Sequence, residues 1–221
     1  MSRLEPVVQL KHLQDLYDRH RYLDAFALTS EYWKDSTVVQ RLSTEEVILG
    51  GRLAARLGGQ RLSRWLFREA ARRDPRNRQA RYFARHLRSR EYLLDELKDF
   101  NAEPDLGGDD PKLRASWCAS YAITWATLRD FDRSYQCLKI AHSLSPDDGW
   151  VLSCESAVFG LADRRTEALR SAERAWEVDP GSPFAAHSLG MSLLKLGHAQ
   201  QAAGIVERIR FPPCSPSNPL G

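Results

Sequence analysis

Two prolines, Pro146 and Pro180, stand 34 residues apart, and each closes a segment with the apolar spacing of two helices joined by a short turn. Proline lacks the backbone donor and clashes with the preceding turn, so each marks a helix end rather than an interior. A helix-turn-helix of this length cannot bury its apolar face alone, and a fixed period makes it stack on its neighbours. The spacing therefore specifies an all-α chain in which contacts run mostly between adjacent hairpins.

The positions inside the period repeat as well. Counted from Ala115, small residues fall at Ala122, Ser134 and Ala141 and large ones at Trp117, Trp125 and Leu138. Counted from Gly149, the equivalent places hold Ser156, Ala168, Ala172 and Ala175, with Leu152 and Phe159 as the large ones. Small residues let the two helices of a hairpin approach, and large ones fill the gap to the next. Upstream, from Thr44, come Val47, Gly51, Ala54, Leu57, Gly58, Ser63, Phe67, Ala70 and Pro75. Downstream, from Pro183, come Ala186, Leu189, Gly190, Leu193, Leu196, Gly197, Ala202, Val206 and Ile209.

This pattern resembles the tetratricopeptide repeat (TPR), and the resemblance implies an α-solenoid of about six stacked hairpins wound as a right-handed superhelix. The expected units are a degenerate hairpin at 1–43, a repeat at 44–77, a degenerate repeat with an acidic loop at 78–114, and repeats at 115–148, 149–182 and 183–211. A Pro/Ser-rich tail, expected to be disordered, occupies 212–221. In the first unit, residues 6–19 and 21–34 read as a hairpin capped by Trp33. Ser43 and Glu46 form a capping box for the helix starting at Thr44. Asp74-Pro75 ends the returning helix. Residues 101–110 carry turn chemistry and are expected to form a flexible joint, after which Asp110-Pro111 restarts the helical pattern. Ser182-Pro183 repeats that start signal.

With 43% apolar residues and a mean hydropathy of −0.48, no run approaches the roughly 18 apolar residues of a membrane span. Residues 1–13 carry Arg3, Glu5, Lys11 and His12 without a continuous apolar stretch, so no secretory signal is expected and the cytoplasm is the expected compartment. Cys118, Cys137 and Cys154 fall within expected helices at no metal-ligand spacing and read as core filling. Gly-rich phosphate loops, HExxH, CxxC and nucleophile-elbow motifs are absent. No enzyme activity, metal or cofactor is expected.

Charge is unevenly distributed. From Arg52 to Arg90 the chain carries thirteen arginines against Glu69 and Asp74, a local charge of +11 in a chain of net +3. An acidic stretch follows, from Glu91 to Asp110, opposed only by Lys98.

In TPR proteins the first helix of each hairpin lines a concave groove. The resemblance then places Arg52 and Arg56 in the groove from the second unit and Tyr82, His86 and Arg90 from the third. Ile123 follows in the fourth, Trp150 in the fifth, and Phe184, His187, Met191 and Lys195 in the sixth. The Lys/Asn carboxylate clamp that some TPR proteins use for chaperone C-termini is absent at the corresponding places. A groove basic at one end and apolar at the other implies a non-catalytic scaffold that binds an extended protein or peptide segment with acidic and apolar parts. One alternative is RNA binding through the arginine-rich second and third repeats.

Two further stretches, Arg52-Leu53-Ala54-Ala55-Arg56-Leu57-Gly58 and Leu128-Arg129-Asp130-Phe131, resemble TPR regions of bacterial multidomain proteins that carry a papain-like cysteine peptidase domain. That likeness implies a recognition arm of a larger peptidase-containing assembly. The apolar face from Ala202 to Ile209 implies either a longer array or a meeting with another protein, including self-association through the last hairpin.

Overall fold

The structure, a computed structural model, describes residues 6–86 and 93–210. The expectations for Leu87, Arg88, Arg90, Glu91 and Tyr92 and for the tail 212–221 lie outside those residues. Among the described residues the fold is all-α, and the chain divides into two compact units, Met1–Trp117 and Cys118–Gly221.

The first unit contains α1 (Pro6–Asp18), α2 (Tyr22–Thr29), a 3-10 turn at Tyr32–Lys34, α3 (Ser36–Arg41), α4 (Thr44–Arg56), α5 (Gln60–Arg73), α6 (Arg78–His86) and α7 (Leu93–Ala102). It also holds the start of α8 (Pro111–Thr127). In the second unit α9 (Phe131–Leu144), α10 (Gly149–Leu161), α11 (Arg165–Val178), α12 (Pro183–Lys195) and α13 (Ala199–Arg210) follow.

Local chemistry explains several boundaries. The Ser43 Oγ accepts from the Glu46 amide at 3.2 Å, while the Glu46 carboxylate accepts from the Ser43 amide at 2.7 Å, so both arms of the expected capping box are made. Asp110 accepts from the amides of Lys112 and Leu113, and Asp148 from those of Trp150 and Val151. Ser182 precedes Pro183 as expected, but its hydroxyl makes no capping bond. The short helix α3 was not foreseen. It is held by Asp35, whose carboxylate accepts from the Thr37 amide and hydroxyl, both at 2.8 Å.

Small residues stand where two elements approach most closely. A Cβ on Gly50 would lie 2.3 Å from the Trp33 ring, and one on Gly51 would lie 2.6 Å from the Phe67 ring. Either glycine weakens helix α4 by about 1 kcal/mol in propensity; the aromatic ring packed in its place offsets that cost. In the second unit the Ser134 hydroxyl, fully buried, donates to the Ala122 carbonyl at 2.7 Å, tying α9 to α8.

Buried residues gather in separate clusters at hairpin junctions. Leu13, Leu16, Tyr17 and Ala25 pack on Leu49 and Leu53 of α4. Val39, Val47, Leu66, Phe67 and Ala80 form the next cluster, with Trp33 and Phe83 against it. Trp33 thus fills the junction between the first hairpin and α4 instead of capping an outer layer. In the second unit Ala172, Leu189, Leu193 and Ala202 join α11, α12 and α13.

The segment read as a flexible joint carries a buried anchor. Leu106 is fully buried, and the Glu103 carbonyl accepts from the Trp117 indole at 3.1 Å. The Glu103 carboxylate pairs with both Arg81 and Arg85, and Asp105 pairs with Arg114 at 2.8 Å.

Candidate functional site

Within each unit the first helices of successive hairpins lie side by side: α4 touches α6, and α10 touches α12. Their outward residues form the candidate surfaces.

In the first unit the basic residues assigned to that surface are engaged with aromatic rings. Arg52 places its guanidinium 4.5 Å from the centre of the Tyr17 ring and 5.8 Å from that of Phe83. Arg56 donates from Nε to the Tyr17 hydroxyl at 3.1 Å and lies 5.9 Å from the Tyr22 ring. Both arginines are half-buried. A cation held over ring faces keeps its charge but loses freedom to reorient toward a ligand. Tyr82 is buried, edge-on to Phe83 and to Trp117, and so contributes to the core of this unit. His86 is the last residue of α6.

The second unit presents a different surface. Along α12, Phe184, His187, Met191 and Leu194 follow at intervals of three and four, the spacing of one helix face. Phe184 is 43% exposed, Met191 42% and Leu194 52%. The Phe184 ring meets Trp150 of α10 edge-on, with centroids 4.9 Å apart. Beside this line α10 carries Ala157 and Gly160, both half-buried. Lys195 closes one end, its ammonium reaching the Gly160 carbonyl at 3.4 Å. Ile123 is half-buried on α8. The strip thus combines aromatic, thioether and branched apolar groups with one imidazole and one ammonium, and it includes no acid.

Leu194 was missed by carrying over the family's groove positions, although its place three residues after Met191 on the same face was readable in the sequence. Also missed was a polar tie beneath the surface: the Glu155 carboxylate lies 2.8 Å from His142 Nε2 and accepts from the Ser171 hydroxyl at 2.7 Å, linking α9, α10 and α11.

Cys137 and Cys154 are held as thiols by their surroundings. Burial, reinforced by the neighbouring Cys118, pushes the Cys137 thiol up to about 12, and burial also raises that of Cys154. The thiolate is therefore suppressed at neutral pH. Among the described residues no group of three His, Cys, Asp or Glu side chains converges on a possible metal position. No described helix is long and apolar enough to cross a membrane.

No protein-family model matches the sequence, and neither does any curated protein. Solved structures do match. TTC0263, a thermophilic TPR protein of Thermus thermophilus, superposes with a TM-score of 0.60 over 76% of this chain and 90% of that one, at 15% identity. The fold is a TPR fold. The assembly chaperone of RpL4, Acl4 (residues 1–338), aligns with 93% of this chain and 89% of its own, with a TM-score of 0.46 and 15% identity. In the TPR fold, the helices of each of the pairs α4 with α5, α10 with α11, and α12 with α13 pack directly on each other.

Proposed function

We propose that this chain is a non-catalytic protein-interaction module, and that the apolar strip of α12, with Trp150 of α10, is where a partner segment docks. The observation that carries this reading is the line of three large apolar side chains, each more than two-fifths exposed, on a helix whose other face buries Ala185, Ala186, Leu189 and Leu193. Exposing such a line to water is unfavourable by about 25 cal/mol per Å² of apolar surface, and a partner that covers it recovers that free energy. The 3-4-3 spacing suits an extended or helical segment that offers its own apolar side chains in register.

The charges at Arg52 and Arg56 were expected to hold an acidic part of the partner. Their engagement with Tyr17 and Tyr22 favours the apolar strip as the principal contact.

The test is selection from a displayed random-peptide library. The wild-type chain is expected to enrich peptides with spaced large apolar residues, and Met191→Glu/Leu194→Glu is expected to lose that enrichment while keeping its helical circular dichroism. Arg52→Gln/Arg56→Gln is expected to retain it. Unchanged enrichment with the α12 variant would remove the strip from consideration.

A further inference from the structure

The arginine-rich stretch is divided by the fold into engaged and free charges. Arg52 and Arg56 lie on tyrosine rings, Arg72 and Arg73 pair with Glu69, and Arg81 and Arg85 pair with Glu103. Arg61, Arg64 and Arg68 are exposed, and none of the three has an ion-pair partner among the described residues. All three belong to α5.

On a helix of 3.6 residues per turn, positions 61, 64, 65 and 68 share one face. The residue at 65 is Trp65, and it is 41% exposed. The opposite face of α5 is committed to the core through Ser63, Leu66, Phe67 and Ala70. Three uncompensated guanidiniums therefore surround one outward indole, along roughly 10 Å of helix axis. This surface belongs to the first unit, and the α12 strip to the second.

We infer that this face of α5 binds the sugar-phosphate backbone of single-stranded nucleic acid, with Trp65 as the stacking platform for a base. Three features select that occupant. First, the chain has no lysine between Lys34 and Lys98, so every cation here is a planar fork able to grip a phosphate through two donors. Second, a base stacks on an exposed indole, whereas the carboxylates of an acidic peptide are disfavoured by its electron-rich ring face. Third, an anionic lipid surface would require an apolar helix face to insert, and that of α5 is already buried.

The experiment measures anisotropy of a fluorescein-labelled, mixed-sequence single-stranded RNA of about 20 nucleotides, long enough to span the face several times over. It compares the full chain with Arg61→Gln/Arg64→Gln/Arg68→Gln and with Trp65→Ala. A third variant, Lys112→Gln/Lys139→Gln/Arg170→Gln, removes the same charge from other exposed positions. The triple arginine variant is expected to flatten the slope of log affinity against log salt by about 2, at about 0.7 per phosphate neutralised on a single strand. Trp65→Ala is expected to weaken binding roughly tenfold. The charge control is expected to bind within about twofold of wild type, because its cations lie off the face.

Equal losses in the arginine variant and the charge control would overturn the inference, since binding would then follow net charge alone. It would also fall if polyglutamate displaced the RNA while Trp65→Ala bound like wild type, which would make the face a site for acidic protein. Failure of the RNA to bind, whether or not phosphatidylserine vesicles do, would overturn it as well.

Discussion

Glu69 lies between two arginines one helical turn away, and hydrogen bonds from Arg72 and then Arg73 pull its carboxyl from an ordinary 4.5 down to about 2. Its folded value is below its unfolded one, so the ion pairs contribute their full stability above about pH 4.5. That contribution is lost as pH falls toward 2. Arg72 is well exposed, which screens its share, whereas Arg73 is largely buried and also donates to the Leu42 carbonyl at 3.0 Å. Glu69→Gln is expected to cost about 1 kcal/mol at pH 7 after allowance for screening. The gap between variant and wild type should shrink on going from pH 6 to pH 3 in urea titrations. A constant gap across that range would assign the effect to packing instead of charge.

At the scale of elements, the intra-hairpin turns show a register that composition hides. Arg129, Asp163 and Gly197 recur at the 34-residue period, and all three have left-handed backbones, with φ of 65°, 60° and 83°. Only the glycine adopts that conformation without steric penalty. Asp163 is exposed, and among the described residues its one ion pair is with the exposed Arg165. Asp163→Gly is therefore expected to raise stability by roughly 0.5 kcal/mol, and Asp163→Ala to lower it, in chemical denaturation. Arg129→Gly should not share that gain, because Arg129 donates to the Leu161 carbonyl at 2.6 Å.

What the sequence disclosed follows the same line between local and distant causes. The capping box at Ser43, the helix start at Pro111 and the hairpins after it rest on residues a few positions apart, so they could be read directly. The pinning of Arg52 by Tyr17 and of Arg56 by Tyr22 joins residues more than thirty positions apart. No local pattern announces such a contact, and a groove position looked like a free charge. The helix α3 was missed for another reason: six residues are too few to show a period, and only the Asp35 cap marks it. On the candidate surface, the family's groove positions named Phe184, His187 and Met191 but not Leu194, whose place on the same helix face only the 3-4-3 spacing marks, while the burial of Tyr82 depended on Trp117, far along the chain.

At the scale of the molecule, buried apolar residues among those described form clusters within each unit that join neighbouring helices. In the second unit α10 packs on α11, α11 on α12, and α12 on α13. Stability in such an arrangement is a sum of local terms and neighbour interfaces, so damage at one junction spreads only as far as the next. Ala202 sits in the cluster with Ala172, Leu189 and Leu193, and a carboxylate there would be buried without a partner. Ala202→Asp is expected to speed amide exchange at least tenfold in α12 and α13 and to leave α9 and the start of α10 near their wild-type rates. A uniform rise across the unit would mean one cooperative block, contrary to the clusters. The same variant links stability to function: if α12 loosens while α10 holds, Trp150 stays in place but Phe184, Met191 and Leu194 lose their fixed line. Enrichment of apolar peptides should then fail, although no residue of the strip has been changed.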